Sequence, residues 1–436
     1  MKKNTIYKAV TFVVLAIFIG IVSLHFPKYT GRYLFFLLFF LFDLYYWSWW
    51  RTYLPQLEAN FRKLVSILFW VPISLLLVFF GASSVYPYTE WNIYIWNYAL
   101  GLIFSLYLAR FIPYTFLFLN DIVRLFIKLW HRVAKGEKYC PKRFDRWITI
   151  GSFLNWLFFV TLVMGMVIGA WVFKVKKETI YVENLPKTFN GWKIVQISDI
   201  HLGNWIYKGQ LERAVKMIND QHPDLVLFTG DMVNYSTRET IGYESILAKI
   251  SAKHGIYAVL GNHDYGDYTS WKSPEEKANN LLQLKKFYKK LGWKLLCNQN
   301  DLIICDSDSL TIIGVENWSR HRRFQKRGNL SIALKGVEKV STQFLLSHDP
   351  SHFDKEVSSH FPNIDLTLSG HTHGMQLGLC FGKKRISPAA LTECYWGGLY
   401  HVKNQYLNVS CGLGTVGYPG RVGILPEINV IELRVK

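Results

Sequence analysis

Five short blocks of this 436-residue chain carry residue types from which a metal-centred reaction can be built. They are Asp199-Ile200-His201, Gly230-Asp231, Gly261-Asn262-His263-Asp264, the single His348, and Gly370-His371-Thr372-His373. Carboxylate, imidazole and amide oxygen suit Mn, Fe or Zn, and no thiolate is among them. An Asp-x-His pair at a strand end sends both side chains to one face, because the strand repeat is two residues. His371 and His373 share a face for the same reason, so one turn can serve two ions. A carboxylate such as Asp231 can bridge two cations, which then sit ~3.5–4 Å apart and clamp both oxygens of an in-line displacement at phosphorus.

Each block closes an apolar run: Ile194–Ser198, Leu225–Thr229, Ile256–Leu260, Phe344–Ser347 and Leu366–Ser369. Short apolar runs ended by Gly, Asp or Asn read as buried strands with a sharp exit, and ligands in sheet proteins gather beyond strand ends. Gly230, Gly261 and Gly370 stand where the backbone must turn sharply and approach the cluster. His222, His254, His352 and His360 lack such a setting and read as surface or core residues.

In this order and context, the motifs resemble those of the calcineurin-like metallophosphoesterases, over roughly Glu178 to Lys436. The resemblance implies a four-layer αββα sandwich, two β-sheets flanked by helices, and two divalent ions that activate a hydroxide nucleophile. It implies that one ion takes Asp199, His201, Asp231 and His373, and the other Asp231, Asn262, His348 and His371. By the same resemblance His263 is the acid that protonates the leaving oxygen, and Asp264 holds its ring. Gly412-Leu413-Gly414 and Arg421 resemble, more loosely, the terminal segment of membrane-linked members.

The two parts of the chain differ in composition. Residues 1–177 are rich in Phe, Leu, Ile, Trp and Tyr, whereas 178–436 is ordinary globular sequence, the expected catalytic domain. Five stretches have the length of a membrane span: Val10–Phe26, Tyr33–Trp50, Leu64–Ala82, Ile93–Phe111 and Trp147–Phe173. Phe116–Val133, interrupted by Asp121, Arg124, Lys128 and Arg132, reads as an amphipathic helix on the membrane surface. Asp43, inside the second span, is costly there unless paired or wet. The formal charge of +19 fits a membrane surface or an anionic substrate. No nucleic-acid module is visible, and no nucleic-acid partner is expected.

Lys and Arg crowd the loop Arg124–Arg146 and are missing from Gly81–Trp91. With five spans, the positive-inside rule puts the amino terminus inside the cytoplasmic membrane and the catalytic domain on its outer face. Cys140 falls in the basic inner loop, and the five cysteines of the catalytic part show no C-x-x-C spacing; an outside location would permit a disulfide, but they read as small buried residues. Ser273-Pro274-Glu275-Glu276 opens a helix to about Leu291, and shorter helices are expected over Gln210–Asn219 and Tyr243–Ser251. The basic run Arg320, Arg322, Arg323, Lys326 and Arg327 could hold an anionic head group, but a solvated loop or a lipid-surface contact is the preferred reading.

The function that follows is a membrane-anchored phosphoesterase acting on a phosphorylated, lipid-linked substrate. A cytoplasmic catalytic domain would instead favour a pyrophosphatase of the UDP-2,3-diacylglucosamine type. A non-catalytic metal-binding receptor is disfavoured by the complete ligand set. A transporter is disfavoured by the scarcity of charge deep in the spans.

Overall fold

A computed structural model describes residues 20, 30–86, 91–320, 325–381 and 384–436. The expected first span, Val10–Phe26, lies outside the described residues apart from Gly20, as do Arg322 and Arg323 of the basic run. The chain divides into two compact units, Met1–Val163 and Met164–Lys436.

Among the described residues, four helices are long and apolar enough to cross a membrane: α1 (Thr30–Tyr53), α2 (Ala59–Val85), α3 (Ile93–Ala134) and α4 (Asp145–Val167). Large apolar side chains such as Phe35, Ile67, Leu68, Phe104 and Phe153 are exposed on them, as lipid-facing residues are. Asp43 of α1 is fully buried and pairs with Arg110 of α3. It also accepts from the Tyr114 hydroxyl at 2.6 Å and the Tyr107 hydroxyl at 3.2 Å. Arg110 further donates to the Phe69 carbonyl of α2, so one ionic cluster ties three helices together. The sequence reading overlooked Arg110 when it found the spans poor in charge.

Phe116–Val133 is not a separate surface helix. It continues Ile93–Phe111 in one 42-residue helix that runs through Pro113. At ~1.5 Å per residue that helix is about twice the ~30 Å hydrocarbon thickness, so an apolar and an amphipathic half can share it. Asn92 caps its start by accepting from the Tyr94 and Ile95 N–H groups. On the amphipathic half, Asp121 is paired with Arg124 and Arg143.

The second unit holds two mixed six-stranded sheets. In chain order the strands of the first are β1 (Lys174–Val182), β2 (Lys193–Ile197), β3 (Leu225–Phe228), β4 (Ile256–Ala258), β5 (Lys294–Leu295) and β14 (Glu427–Val435), arranged 1-14-2-3-4-5. The second has β6 (Gln299–Cys305), β7 (Asp308–Gly314), β8 (Gln343–Leu346), β9 (Leu366–Ser369), β12 (Gly398–Val402) and β13 (Gln405–Val409), arranged 12-13-9-8-7-6. A separate hairpin pairs β10 (Leu379–Phe381) with β11 (Lys384–Ile386).

Alternation of side chains explains the layering. In β3, Leu225 and Leu227 join a core with Phe344, Leu346, Leu366 and Leu368 of the facing sheet, while Val226 and Phe228 point the other way. That outer core is closed by α5 (Lys208–Asn219) through Leu211, Val215 and Ile218, and by α6 (Pro274–Lys290) through Leu284 and Phe287. On the far side Ile313, Leu345 and Leu407 pack with Leu330, Phe353 and Val357. Helix, sheet, sheet, helix is the arrangement the sequence leads one to expect.

Ser273 caps α6 by accepting from the Glu276 N–H. The helix expected over Tyr243–Ser251 is reduced to the single turn Glu244–Leu247. No disulfide joins the described cysteines. Of the six, Cys411 alone is buried, whereas Cys140, Cys380 and Cys394 are exposed, which corrects the expectation of small buried residues.

Candidate metal centre

β2, β3 and β4 run parallel in one sheet, as do β8 and β9 in the other. Their carboxyl ends deliver Asp199 and His201, Asp231, Asn262 and His263, His348, and His371 and His373 to one place. Five of these, Asp199, His201, Asp231, His371 and His373, have φ between 49° and 72°. Left-handed conformations outside glycine cost energy and cluster at functional sites. Two glycines make room: a Cβ on Gly261 would collide with the Asp231 carboxylate, and one on Gly370 with Ser198 Oγ and the Asp199 carboxylate.

The polar atoms converge in two groups. In one, His373 Nε2 lies 3.1 Å from His201 Nε2 and 3.2 Å from Asp199 Oδ1, and Asp231 Oδ2 is 3.6 Å from His201 Nε2. In the other, His348 Nε2 lies 3.2 Å from Asp231 Oδ2 and 3.0 Å from Asn262 Oδ1, which is 2.7 Å from His371 Nδ1. Asp199, His201 and His373 offer ligand atoms within 4.8 Å of one another, and so do Asp199, Asp231 and His348. Oxygen and imidazole donors crowded at these distances, most of them buried, fit divalent transition ions.

The electrostatics match such a role. Burial pushes His201 well below the ordinary histidine value, with Asp231 opposing. It also lowers His373, helped by Arg421 and opposed chiefly by Asp199. Neutral imidazoles are what a cation needs as ligands. Burial works against the charge on Asp199, but His373 and His348 outweigh it and hold the carboxyl low. His348 is the exception: burial lowers it, yet Asp231 and Asp199 together raise it to about 10.

The sequence reading of Asp264 needs correction. His263 Nδ1 is 2.7 Å from the Asn234 carbonyl, which holds the ring. The Asp264 carboxylate instead accepts from the backbone N–H groups of Asp231, Met232 and Gly261 at 2.9–3.0 Å. It staples the turns carrying Asp231 and Asn262, and it is fully buried. No side-chain pattern could have pointed to Asn234, because its contribution is a backbone carbonyl. Two other neighbours escaped notice. Tyr268 stacks on His263 with centroids 3.9 Å apart and meets Asn262 Nδ2 through its hydroxyl. Asp349, next to His348 in sequence, lies 3.9 Å from His371 Nε2.

Arg421 is deeply buried among four carbonyl acceptors. It donates to the carbonyls of Gly414, Cys411, Gly412 and Ile424, and Nη2 is 3.3 Å from His373 Nδ1. Of the basic run, Arg320 is engaged by Glu393 and the Thr392 carbonyl, Lys326 lies over Trp318, and Arg327 over Tyr265.

Residues 193–375 match the family model of the calcineurin-like phosphoesterases, and residues 28–170 match that of a probable calcineurin-like phosphoesterase transmembrane domain. The Bacillus subtilis metallophosphoesterase YkuE is 30% identical over 263 residues, which cover 59% of this chain and 84% of the relative. A zebrafish (Danio rerio) transmembrane protein with metallophosphoesterase domain is 31% identical over 283 residues, 63% of this chain. The alignment spans 60% of that relative's length. Among solved structures, Haemophilus influenzae NAD nucleotidase covers 52% of this chain and 45% of its own, at 16% identity and a TM-score of 0.34. The chain belongs to the calcineurin-like metallophosphoesterases. It is a multi-pass membrane member of them.

Proposed function

We propose that this chain is a dinuclear-metal phosphoesterase that hydrolyses a lipid-linked phosphoester or pyrophosphate. The observation that carries the dinuclear reading is the position of Asp231. Its carboxylate stands between a group made with Asp199, His201 and His373 and a group made with Asn262, His348 and His371. Two divalent ions, Mn, Fe or Zn, would supply positive charge for phosphoryl oxygens and make bound water acidic.

The chain's own residues do the rest. Asn234 fixes the His263 ring through Nδ1, which leaves Nε2 to pass a proton to the leaving oxygen. Burial disfavours imidazolium at His263, and an anionic phosphate beside it would restore that form by attraction. Asp264 keeps Asp231 and Asn262 in place through backbone N–H groups, and burial, helped by Arg421, disfavours imidazolium at His373.

The lipid-linked substrate is supported by the membrane unit, since a soluble ester gives no reason for so much apolar helix. The richly basic stretch Arg124–Arg146 supports a catalytic unit on the outer face of the cytoplasmic membrane. The test is hydrolysis by the purified full chain of matched phosphomonoesters, phosphodiesters and pyrophosphates, with and without acyl chains. Preference for the acylated substrates is expected. Equal or exclusive turnover of the soluble esters would remove the lipid-linked part, and no turnover by metal-loaded protein would remove catalysis.

A further inference from the structure

The hairpin β10–β11 has two unlike faces. Register pairs Leu379 with Ile386, Cys380 with Arg385, and Phe381 with Lys384. Cys380 and Arg385 point to one side, where both are tied down. Cys380 Sγ is 3.3 Å from the Gly423 carbonyl, and Arg385 is 3.4 Å from Glu427 and lies over the Trp396 ring. Leu379, Phe381, Lys384 and Ile386 form the opposite side, with the three apolar residues 58%, 63% and 61% exposed. Contiguous apolar side chains left in the open on one face of a hairpin mark a contact surface.

Three observations choose the occupant. Register sets the aromatic Phe381 opposite Lys384, the combination that favours an anionic lipid interface. The root of the hairpin is next to the end of a membrane helix. Leu377 bridges Val422, and the Gly378 N–H donates to the Val422 carbonyl at 2.9 Å. One residue earlier, the Arg421 N–H donates to the carbonyl of Gly165 at 3.0 Å. Gly165 belongs to the catalytic unit and to the last turn of α4, inside the apolar stretch Asp145–Trp171. Near that end Val167 and Ile168 are exposed as well.

We infer that the β10–β11 hairpin is a lipid-surface contact: Leu379, Phe381 and Ile386 enter the interfacial layer while Lys384 meets phosphate head groups. The hairpin follows His373 by six residues, and Gln376 between them donates to the carbonyls of Tyr418 and Gly420 in the strip that also touches α4. The contact therefore holds the rim of the metal centre at the bilayer surface. It depends on the membrane anchoring of the chain and not on which phosphoester is cleaved.

The experiment places the photoreactive amino acid p-benzoylphenylalanine at Phe381, at Ile386 and, as control, at Ile304. Ile304 is an apolar residue 68% exposed on β6. The full chain is reconstituted in vesicles of equal parts phosphatidylcholine and phosphatidylglycerol, irradiated, and its adducts are read by mass spectrometry. Phospholipid adducts at 381 and 386 several-fold above those at 304 are expected. A chain-to-chain cross-link at 381 would overturn the inference in favour of a second copy as occupant. Adduct yields no higher than at 304 would overturn it outright. Because the readout is a covalent lipid adduct, it stands or falls separately from hydrolysis.

Discussion

Replacing Arg421 by Met tests whether the metal centre is supported from behind. The side chain is of similar length and apolar, so it fills the space and removes only the donors. Gly412 keeps a second donor, the Glu427 N–H at 3.1 Å. The carbonyls of Cys411, Gly414 and Ile424 have the guanidinium as their donor. Each buried carbonyl left unpaired costs about 2 kcal/mol, roughly 6 kcal/mol in all. Against this, burial pushes Arg421 down to about 10 from its ordinary 12.5. That is a cost of about 3 kcal/mol for holding the cation there, and it disappears with the charge. The net loss is about 3 kcal/mol, which for a domain of this size lowers Tm by roughly 6–12 °C. His373 also loses the cation 3.3 Å from its Nδ1, whose charge opposes protonation of that ring, so metal affinity should change as well. Thermal unfolding and metal titration of the detergent-solubilised full chain measure the two effects separately. A Tm within about 2 °C of the parent, with unchanged metal affinity, would refute the reasoning.

Asp231→Asn is expected to abolish turnover and strip metal, because one carboxylate serves both groups of ligands, whereas His263→Ala should retain metal and lose roughly 10²–10⁴-fold in rate. Metal analysis beside initial rates separates the two, and an aryl ester with an acidic leaving group should partly rescue His263→Ala. Stability should fall in mild acid through His352, which burial pushes down to about 4 from 6.5, with Asp349 opposing. A lowered histidine keeps its full contribution above the unfolded value and loses it below. The folded state therefore forfeits up to about 2 kcal/mol by roughly pH 5, and His352→Gln should flatten that part of a Tm-versus-pH profile. Labelling engineered cysteines near Lys436 and Lys138 in intact cells with an impermeant reagent should modify only the former, and the reverse pattern would put the catalytic unit inside.

The sequence made the strands and their loaded ends legible for a physical reason. A buried strand needs an apolar run, and a sharp exit needs Gly, Asp or Asn, so Leu225–Phe228 before Gly230-Asp231 announces both the element and the site. The side chains that converge were readable for the same reason. What stayed hidden works through the backbone or across the fold. Asn234 holds His263 with a carbonyl, Asp264 serves four N–H groups rather than the ring beside it, and Arg421 reaches His373 across 48 residues. In the membrane unit, charge decided the errors. Asp121, Arg124 and Lys128 suggested a surface helix, but ion pairing of Asp121 accommodates that charge on a helix that simply continues. Arg110 was missed because its partner Asp43 is 67 residues away.

The most direct test of the central claim is the metal content of the purified full chain, measured by inductively coupled plasma mass spectrometry on the same sample whose phosphoester hydrolysis is assayed. A dinuclear enzyme predicts two transition-metal ions per chain in the active protein. It also predicts loss of turnover in step with their removal by chelator, and recovery when they are restored. Full turnover with one ion per chain or fewer, or two ions per chain with no hydrolysis of any phosphoester, would contradict it.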